Sequence, residues 1–155
     1  MAGEDIYLRQ AMPEDKDLLY QWRNDPVCRE NSLDQSIVPY ESHCAWFQDR
    51  LGSGDCFIFI CMEKDSPIGQ VRVDYQGRDG KISYSISEGY RGRGYGARML
   101  GLLEQDAGIR MRTAGLYAIV KCSNVASQKC FEKLQYSKEC CGSYFRYGKS
   151  FSERS

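Results

Sequence analysis

The sequence predicts an α+β (mixed α/β) domain, with one mixed sheet of about seven strands and four helices. Three observations carry that reading. Between residues 56 and 86 an apolar run and two alternating segments are separated by short turns, the pattern of an antiparallel meander. A glycine-rich string, a helix and another strand follow, so the strand at residues 116–121 should lie parallel to the one ending at Ile86. The 155 residues suffice for one core and fall short of two ordinary domains, and no repeat or linker interrupts them, so residues 1–155 read as one domain.

The elements follow in order. Residues 6–10 form a first strand. Pro13 and Glu14 open a helix with Leu18, Leu19 and Trp22 at helical spacing, which ends before Pro26. Residues 26–38 show no period and read as an ordered loop. A second helix begins near Pro39, sets His43, Trp46, Phe47 and Leu51 on one face, and ends at Gly52-Ser53-Gly54. Residues 56–62 are apolar throughout, as in a central strand buried on both faces. After a turn at Asp65-Ser66-Pro67, residues 69–75 place Val71, Val73 and Tyr75 on one side and Gln70, Arg72 and Asp74 on the other. A turn at residues 77–80 leads to the strand at 81–86. A third helix carries Met99, Leu100, Leu103 and Ala107 as one apolar face, and a fourth spans residues 124–134. Strands at 135–141 and 143–149 and a frayed tail from Phe151 complete the chain.

Composition removes several functions. Lys plus Arg is 21 and Asp plus Glu is 21, so no net charge draws nucleic acid or anionic membrane. The first five residues lack the basic and apolar regions of a signal peptide, and no apolar run reaches bilayer-spanning length. Eight cysteines show no C-x-x-C pair, and several sit in apolar runs, which reads as free thiols in a reducing cytoplasm. With a single histidine, no metal site is expected.

The string Arg91-Gly92-Arg93-Gly94-Tyr95-Gly96 lies between a strand and a helix. Glycines let the backbone approach a bulky ligand, the free N–H groups of the helix start favour an anion, and Arg91 and Arg93 add charged donors. A pyrophosphate suits such a loop. No Walker A string exists. Gly92, Gly94 and Ala97 satisfy a dinucleotide fingerprint, but an antiparallel meander precedes them, and Lys121 and Cys122 stand where a ribose-binding acid belongs.

The string resembles the acyl-CoA loop of the GNAT acetyltransferases, [QR]-x-x-G-x-[GA], at Arg91, Gly94 and Gly96, and the element order is that family's over nearly the whole chain. A second segment, from Asn124 through Ser127 and Phe131 to Tyr136, is similar to the family's N-x-x-[SA]-x-x-x-[YF]-x-K-x-G-[FY]. The resemblance implies acetyl-CoA as co-substrate and a pantetheine arm lying between splayed strands four and five, beginning near Ile86. It places residues 91–97 (Tyr95 and Ala97 included) on the pyrophosphate, Asn124 and Ser127 along the arm, and Phe131 near the thioester. Asn124 equally suits a plain helix N-cap, and Phe131 a core aromatic. Phe131 stands where many members carry the tyrosine that protonates the departing thiolate, and Gln135 stands where they carry glycine.

The acceptor is a small-molecule amine in this reading. Arg23, Arg29, His43, Trp46 and Tyr84 are its candidate contacts; Trp22-Arg23-Asn24, Arg29, and Glu41 with His43, Trp46 and Phe47 form a pattern resembling the subset that acetylates the 4-amino group of UDP-linked amino sugars of the pseudaminic-acid type. Arg23 and Arg29 also fit ordinary surface positions, Trp22, Trp46 and Phe47 fit core packing, and His43 fits a structural histidine. Candidate bases are Glu88, His43 and, third, Asp74; candidate acids are Tyr84 and Tyr136. Two other functions stand open: acetylation of protein N-termini, and acetyl-CoA binding without catalysis. Self-association as a homodimer is left open.

Overall fold

A computed structural model describes residues 6–151; the first five residues, read above for a leader, and residues 152–155 of the tail lie outside the described ones. Seven strands form a single sheet in the order β1-β2-β3-β4-β5-β7-β6. Strands β1 (Ile6–Gln10), β2 (Cys56–Glu63), β3 (Ser66–Gln76) and β4 (Asp79–Ile86) are antiparallel neighbours. The turns from β2 to β3 and from β3 to β4 are two residues long, shorter than the sequence suggested, because Ser66 and Asp79 already pair with the preceding strand. β4 and β5 (Gly115–Lys121) are parallel, and β7 (Tyr144–Ser150) lies between β5 and the edge strand β6 (Ser137–Cys140).

The described residues form six α-helices: α1 (Lys16–Arg23), α2 (Pro26–Glu30), α3 (Tyr40–Gly52), α4 (Tyr95–Gln105), α5 (Ala107–Arg112) and α6 (Val125–Lys133). The sequence reading of four misses two. Asp25 caps α2 by accepting from the Val27 and Cys28 amides at 3.0 and 3.1 Å, yet α2 buries no residue and so shows no apolar period. Asp106 adopts an extended backbone (ψ 126°), breaks the third predicted helix and caps α5 through the Ile109 amide. Ile109 is then buried and Ala107, expected in the apolar face, is exposed. Leu51 likewise turns outward at the end of α3.

The alternation of β3 holds, with Val71, Val73 and Tyr75 in the larger core beside Met99, Leu100 and Leu103 of α4. On the opposite face Leu19 and Phe47 of α1 and α3 cover Ile58, Ile60 and Met62 of β2. That cover stops short of β3 and β4, where Gln70, Arg72, Ser83 and Ser85 form a polar floor joined by hydrogen bonds. All eight cysteines are free, and burial pushes the thiol of Cys61 up to about 11 and that of Cys56 to about 12. Phe151, read as tail, is half-buried; its amide donates to the Ala114 carbonyl at 2.8 Å.

Gln135 takes a left-handed conformation, φ 69°, just past α6, where the Tyr136 amide returns to the Phe131 carbonyl at 3.0 Å. The side chain at this position, where the related segment carries glycine, is therefore mildly strained. Gly115 is required for a different reason: a Cβ there would lie 2.7 Å from the Lys149 carbonyl oxygen of β7. Chemical denaturation should show Gln135→Gly stabilising by about 0.5–1 kcal/mol and Gly115→Ala destabilising by about 1–3 kcal/mol.

Candidate active site

β4 and β5 pair over three positions, from Asp79 with Gly115 to Lys81 with Tyr117, and then part. Residues 82–86 and 118–121 face each other across a gap, leaving main-chain N–H and C=O groups without a strand partner on that side. A cleft of about 910 Å³ runs through this gap, lined by Tyr84, Ile119 and Asn124 and extending to Arg23, Arg29 and Trp46.

At one end lies the glycine loop. Gly92 and Gly94 have φ 76° and 82°, and Gly94 is the N-cap of α4. The Arg98 amide donates to the Gly94 carbonyl, so the N–H groups of Tyr95, Gly96 and Ala97, earlier in that turn, lack a helical acceptor. They form an anion cradle with the helix dipole behind it. A Cβ at Gly96 would crowd Cys130 Sγ at 3.0 Å. These features fit the pyrophosphate and narrow arm of coenzyme A.

The arginines of the loop behave differently from expectation. Arg91 donates through Nε to the Ile86 carbonyl and through Nη2 to Asp25 of the α2 cap, each at 2.8 Å, instead of pointing as a free charge at the cradle. Arg93 is exposed over the Tyr90 ring and does not line the cleft. Tyr95 is buried, its hydroxyl donating to Glu63. Ile86 contributes its carbonyl to Arg91, with its side chain against the core.

In mid-cleft, Asn124 is the N-cap of α6, accepting from the Ser127 amide at 3.2 Å, so the capping role is satisfied while the residue also lines the cleft. Phe131 is fully buried, stacked on Tyr147 and edge-on to Tyr84 and Tyr136. Tyr84 stands beside it, its hydroxyl 2.7 Å from Ser127 Oγ. Burial first, and the neighbouring Cys130 next, raise the Tyr84 pKa, so the phenol stays protonated at neutral pH. Tyr136, the other candidate acid, lies outside the cleft lining, its hydroxyl buried in the core without a partner.

The candidate bases fare unevenly. Glu88 is exposed on a 3-10 turn and does not line the cleft. Asp74 is paired with Arg72 at 2.8 Å and Arg50 at 3.2 Å. His43 is fully buried between α1 and α3; Nε2 donates to the Lys16 carbonyl at 2.9 Å, which leaves Nδ1 to accept from Arg23 Nη1 at 3.4 Å. Both nitrogens are engaged, so His43 holds no free lone pair for a substrate proton.

At the other end of the cleft the Arg23 guanidinium lies 4.6 Å from the Trp46 ring centre and that of Arg72 5.0 Å from it. Arg72 has Asp74; Arg23 has no carboxylate partner among the described residues. Arg29 donates through Nε to the Gln35 carbonyl at 3.1 Å and lines the cleft. Sequence reasoning missed Arg72, Gln70, Cys28 and Asp25. The β3 alternation did set Gln70 and Arg72 on one face; what it lacked was any sign that α1 and α3 leave that face open. Among the described residues no group of three His, Cys, Asp or Glu side chains is arranged to hold a metal, and no helix is long and apolar enough to cross a membrane.

An anion cradle at a helix start opens onto the gap of a splayed parallel strand pair, an arrangement with room for an extended anionic ligand along the missing strand. Residues 5–137 match the family described as "Acetyltransferase (GNAT) domain", and the chain belongs to that family of N-acetyltransferases. No curated protein matches the sequence. Among solved structures it is similar to a spermidine N-acetyltransferase from Vibrio cholerae, in complex with CoA and spermine, with TM-score 0.85, 12% identity and 96% of each chain covered. It is similar to an acetyltransferase from Salmonella typhimurium that modifies the N-terminal serine of a ribosomal subunit protein, with TM-score 0.81, 16% identity and 97% of each chain covered. An aminoglycoside acetyltransferase in complex with ribostamycin and coenzyme A superposes with TM-score 0.82 at 15% identity, covering 96% of this chain and 94% of that one. At these identities the likeness shows the fold.

Burial is the main cause that holds the His43 pKa below its ordinary 6.5. The unfolded chain therefore binds a proton near 6.5 that the folded chain resists, and stability is full above that pH and lost as pH falls through the depressed value. Urea unfolding from about pH 7 to about pH 5 should show a falling free energy, with a shallower fall in His43→Asn.

Proposed function

We propose that this acetyltransferase transfers an acetyl group directly from acetyl-CoA to the amine of a small acceptor that also carries phosphate, such as the 4-amino group of a UDP-linked amino-deoxy sugar. The observation that carries the acceptor half is Arg23. A half-buried guanidinium without a carboxylate, stacked on Trp46 and braced by neutral His43, favours an anion brought by the ligand. Asp34 is the one acidic residue of the cleft lining among the described residues, and it is exposed and turned to Ser36. Such a lining suits an anionic acceptor better than a polyamine, whose cationic groups need carboxylates. Trp46 adds a flat apolar face.

In this reading the neutral amine attacks the thioester carbon, and the unpaired N–H groups along β4 are the nearest donors for the developing oxyanion. The carbon–sulfur bond then breaks, and Tyr84, bonded to Ser127, gives a proton to the thiolate in place of the tyrosine absent at Phe131 and regains one from solvent. With Glu88 outside, Asp74 paired and His43 engaged, the amine's proton leaves to water in the open cleft. No covalent enzyme intermediate is used.

The test supplies acetyl-CoA with a UDP-linked 4-amino-deoxy sugar, with Ser-initiated peptide and with spermidine, and reads product masses. Acetylated sugar nucleotide supports the proposal; acetylated peptide or spermidine alone replaces it. With the sugar nucleotide, Arg23→Gln should raise acceptor KM about ten- to a hundredfold while KM for acetyl-CoA stays near wild type. Separately, Tyr84→Phe should lower kcat by about a hundredfold or more with little change in either KM, and an unchanged kcat would remove Tyr84 from the acid role.

A further inference from the structure

α2 is a short helix with no core of its own. None of its five residues is buried, and Val27, with Leu33 and Ile37 just beyond, is exposed. It is held in place by polar ties at both ends. At its start, Asp25 accepts from Arg91 Nη2 at 2.8 Å, and Arg91 in turn grips the end of β4 through the Ile86 carbonyl. At its end, the Glu30 carbonyl accepts from Lys121 Nζ at 2.8 Å, and Lys121 is the last residue of β5. The helix therefore spans the open end of the gap, with one tie to each of the two strands that part there.

The same helix presents Val27, Cys28 and Arg29 to the cleft. Beyond it the chain returns through Asn24, whose side-chain amide donates to the Val38 carbonyl at 3.0 Å and accepts from the Val38 amide at 2.8 Å. Residues 25–38 thus form one wall of the acceptor end, closed on itself at Asn24 and fastened to the donor end by Arg91 and Lys121. Arg91 immediately precedes the two positive-φ glycines of the anion cradle. A ligand that fixes the cradle amides also fixes the residue that holds Asp25.

We infer that α2 is a brace that couples the two halves of the reaction, with Arg91 and Asp25 as positioning residues. Seating of the acyl donor in the cradle stiffens Arg91, Arg91 stiffens α2 through Asp25, and the acceptor wall is set only once the donor is in place. Coupling between sites is reciprocal, so an ordered acceptor wall equally favours the donor. Arg91 is thereby assigned a different duty from a pyrophosphate ligand: its side chain reports the state of the loop to the acceptor. The inference rests on the donor half of the proposed function and is independent of which amine is acetylated.

The experiment is hydrogen–deuterium exchange of the whole chain with and without coenzyme A, beside a direct measurement of coenzyme A affinity. In the wild type, coenzyme A should slow exchange in residues 26–32 as well as in residues 91–98. Asn caps a helix as well as Asp does, so Asp25→Asn leaves α2 formed while removing its charge. In that variant the slowing at 26–32 should shrink by at least about threefold, with residues 91–98 still protected. Lys121→Met, which cuts the other tie, should reduce it in the same direction. Coenzyme A that binds and protects 91–98 without touching 26–32 overturns the brace, as does equal protection at 26–32 in wild type and Asp25→Asn. No binding of coenzyme A to the wild type overturns the donor reading on which the brace rests.

Discussion

Two parallel strands that pair for three residues and then diverge are the constraint on which the rest of this structure depends. Unpaired main-chain groups inside a protein carry a free-energy cost unless something meets them, and residues 82–86 and 118–121 present such groups to the gap. The molecule spends its core on keeping the gap open. α4 and α6 pack beside the parting strands, and the buried aromatics Phe131, Tyr136 and Tyr147 wedge beneath α6. Gly115 lets β7 press close to β5 at the closed end, where a single methyl would push the two apart. A ligand with amides along its length is the natural completion of such a sheet.

Charge is distributed to the same plan. The basic residues balance the acidic ones over the chain, so the positive character of the cleft comes from placement. Asp74 is shared between Arg50 and Arg72, Asp25 pairs with Arg91, and Asp15 receives both ends of the Arg9 guanidinium. Arg23 is left out of this pairing. Its neighbours are a neutral imidazole, an indole face and another guanidinium, whose repulsion adds to burial in lowering its pKa. The same contact adds to burial, the larger cause, in keeping His43 uncharged: a proton on Nδ1 would remove the acceptor that Arg23 uses and set two cations together.

The sheet and its helices were legible where local pattern and burial coincide. The alternation at residues 69–75 named the inward face of β3 correctly, and the glycine string located the cradle because φ above zero and orphan N–H groups are properties of the local chain. α2 escaped because a helix without a buried face has no period to detect, and α5 escaped because Asp106 interrupts a run that otherwise continues. Side-chain duties were less legible than positions. Arg91 was read as a free charge, but its partner lies 66 residues earlier, and nothing in either neighbourhood announces the other. His43 and Asp74 looked like bases because both are titratable; only the folded chain shows that each is already committed to an arginine.

Trp46 has a consequence of another kind. The chain contains two tryptophans, and both border the cleft; Trp46 lies within 5.9 Å of three guanidinium groups. The emission of an indole responds to nearby charge, so any ligand that recruits Arg23 or Arg72 away from that ring alters the light the protein gives off. The molecule carries its own optical gauge of that end of the cleft, readable without label, product or coupled enzyme.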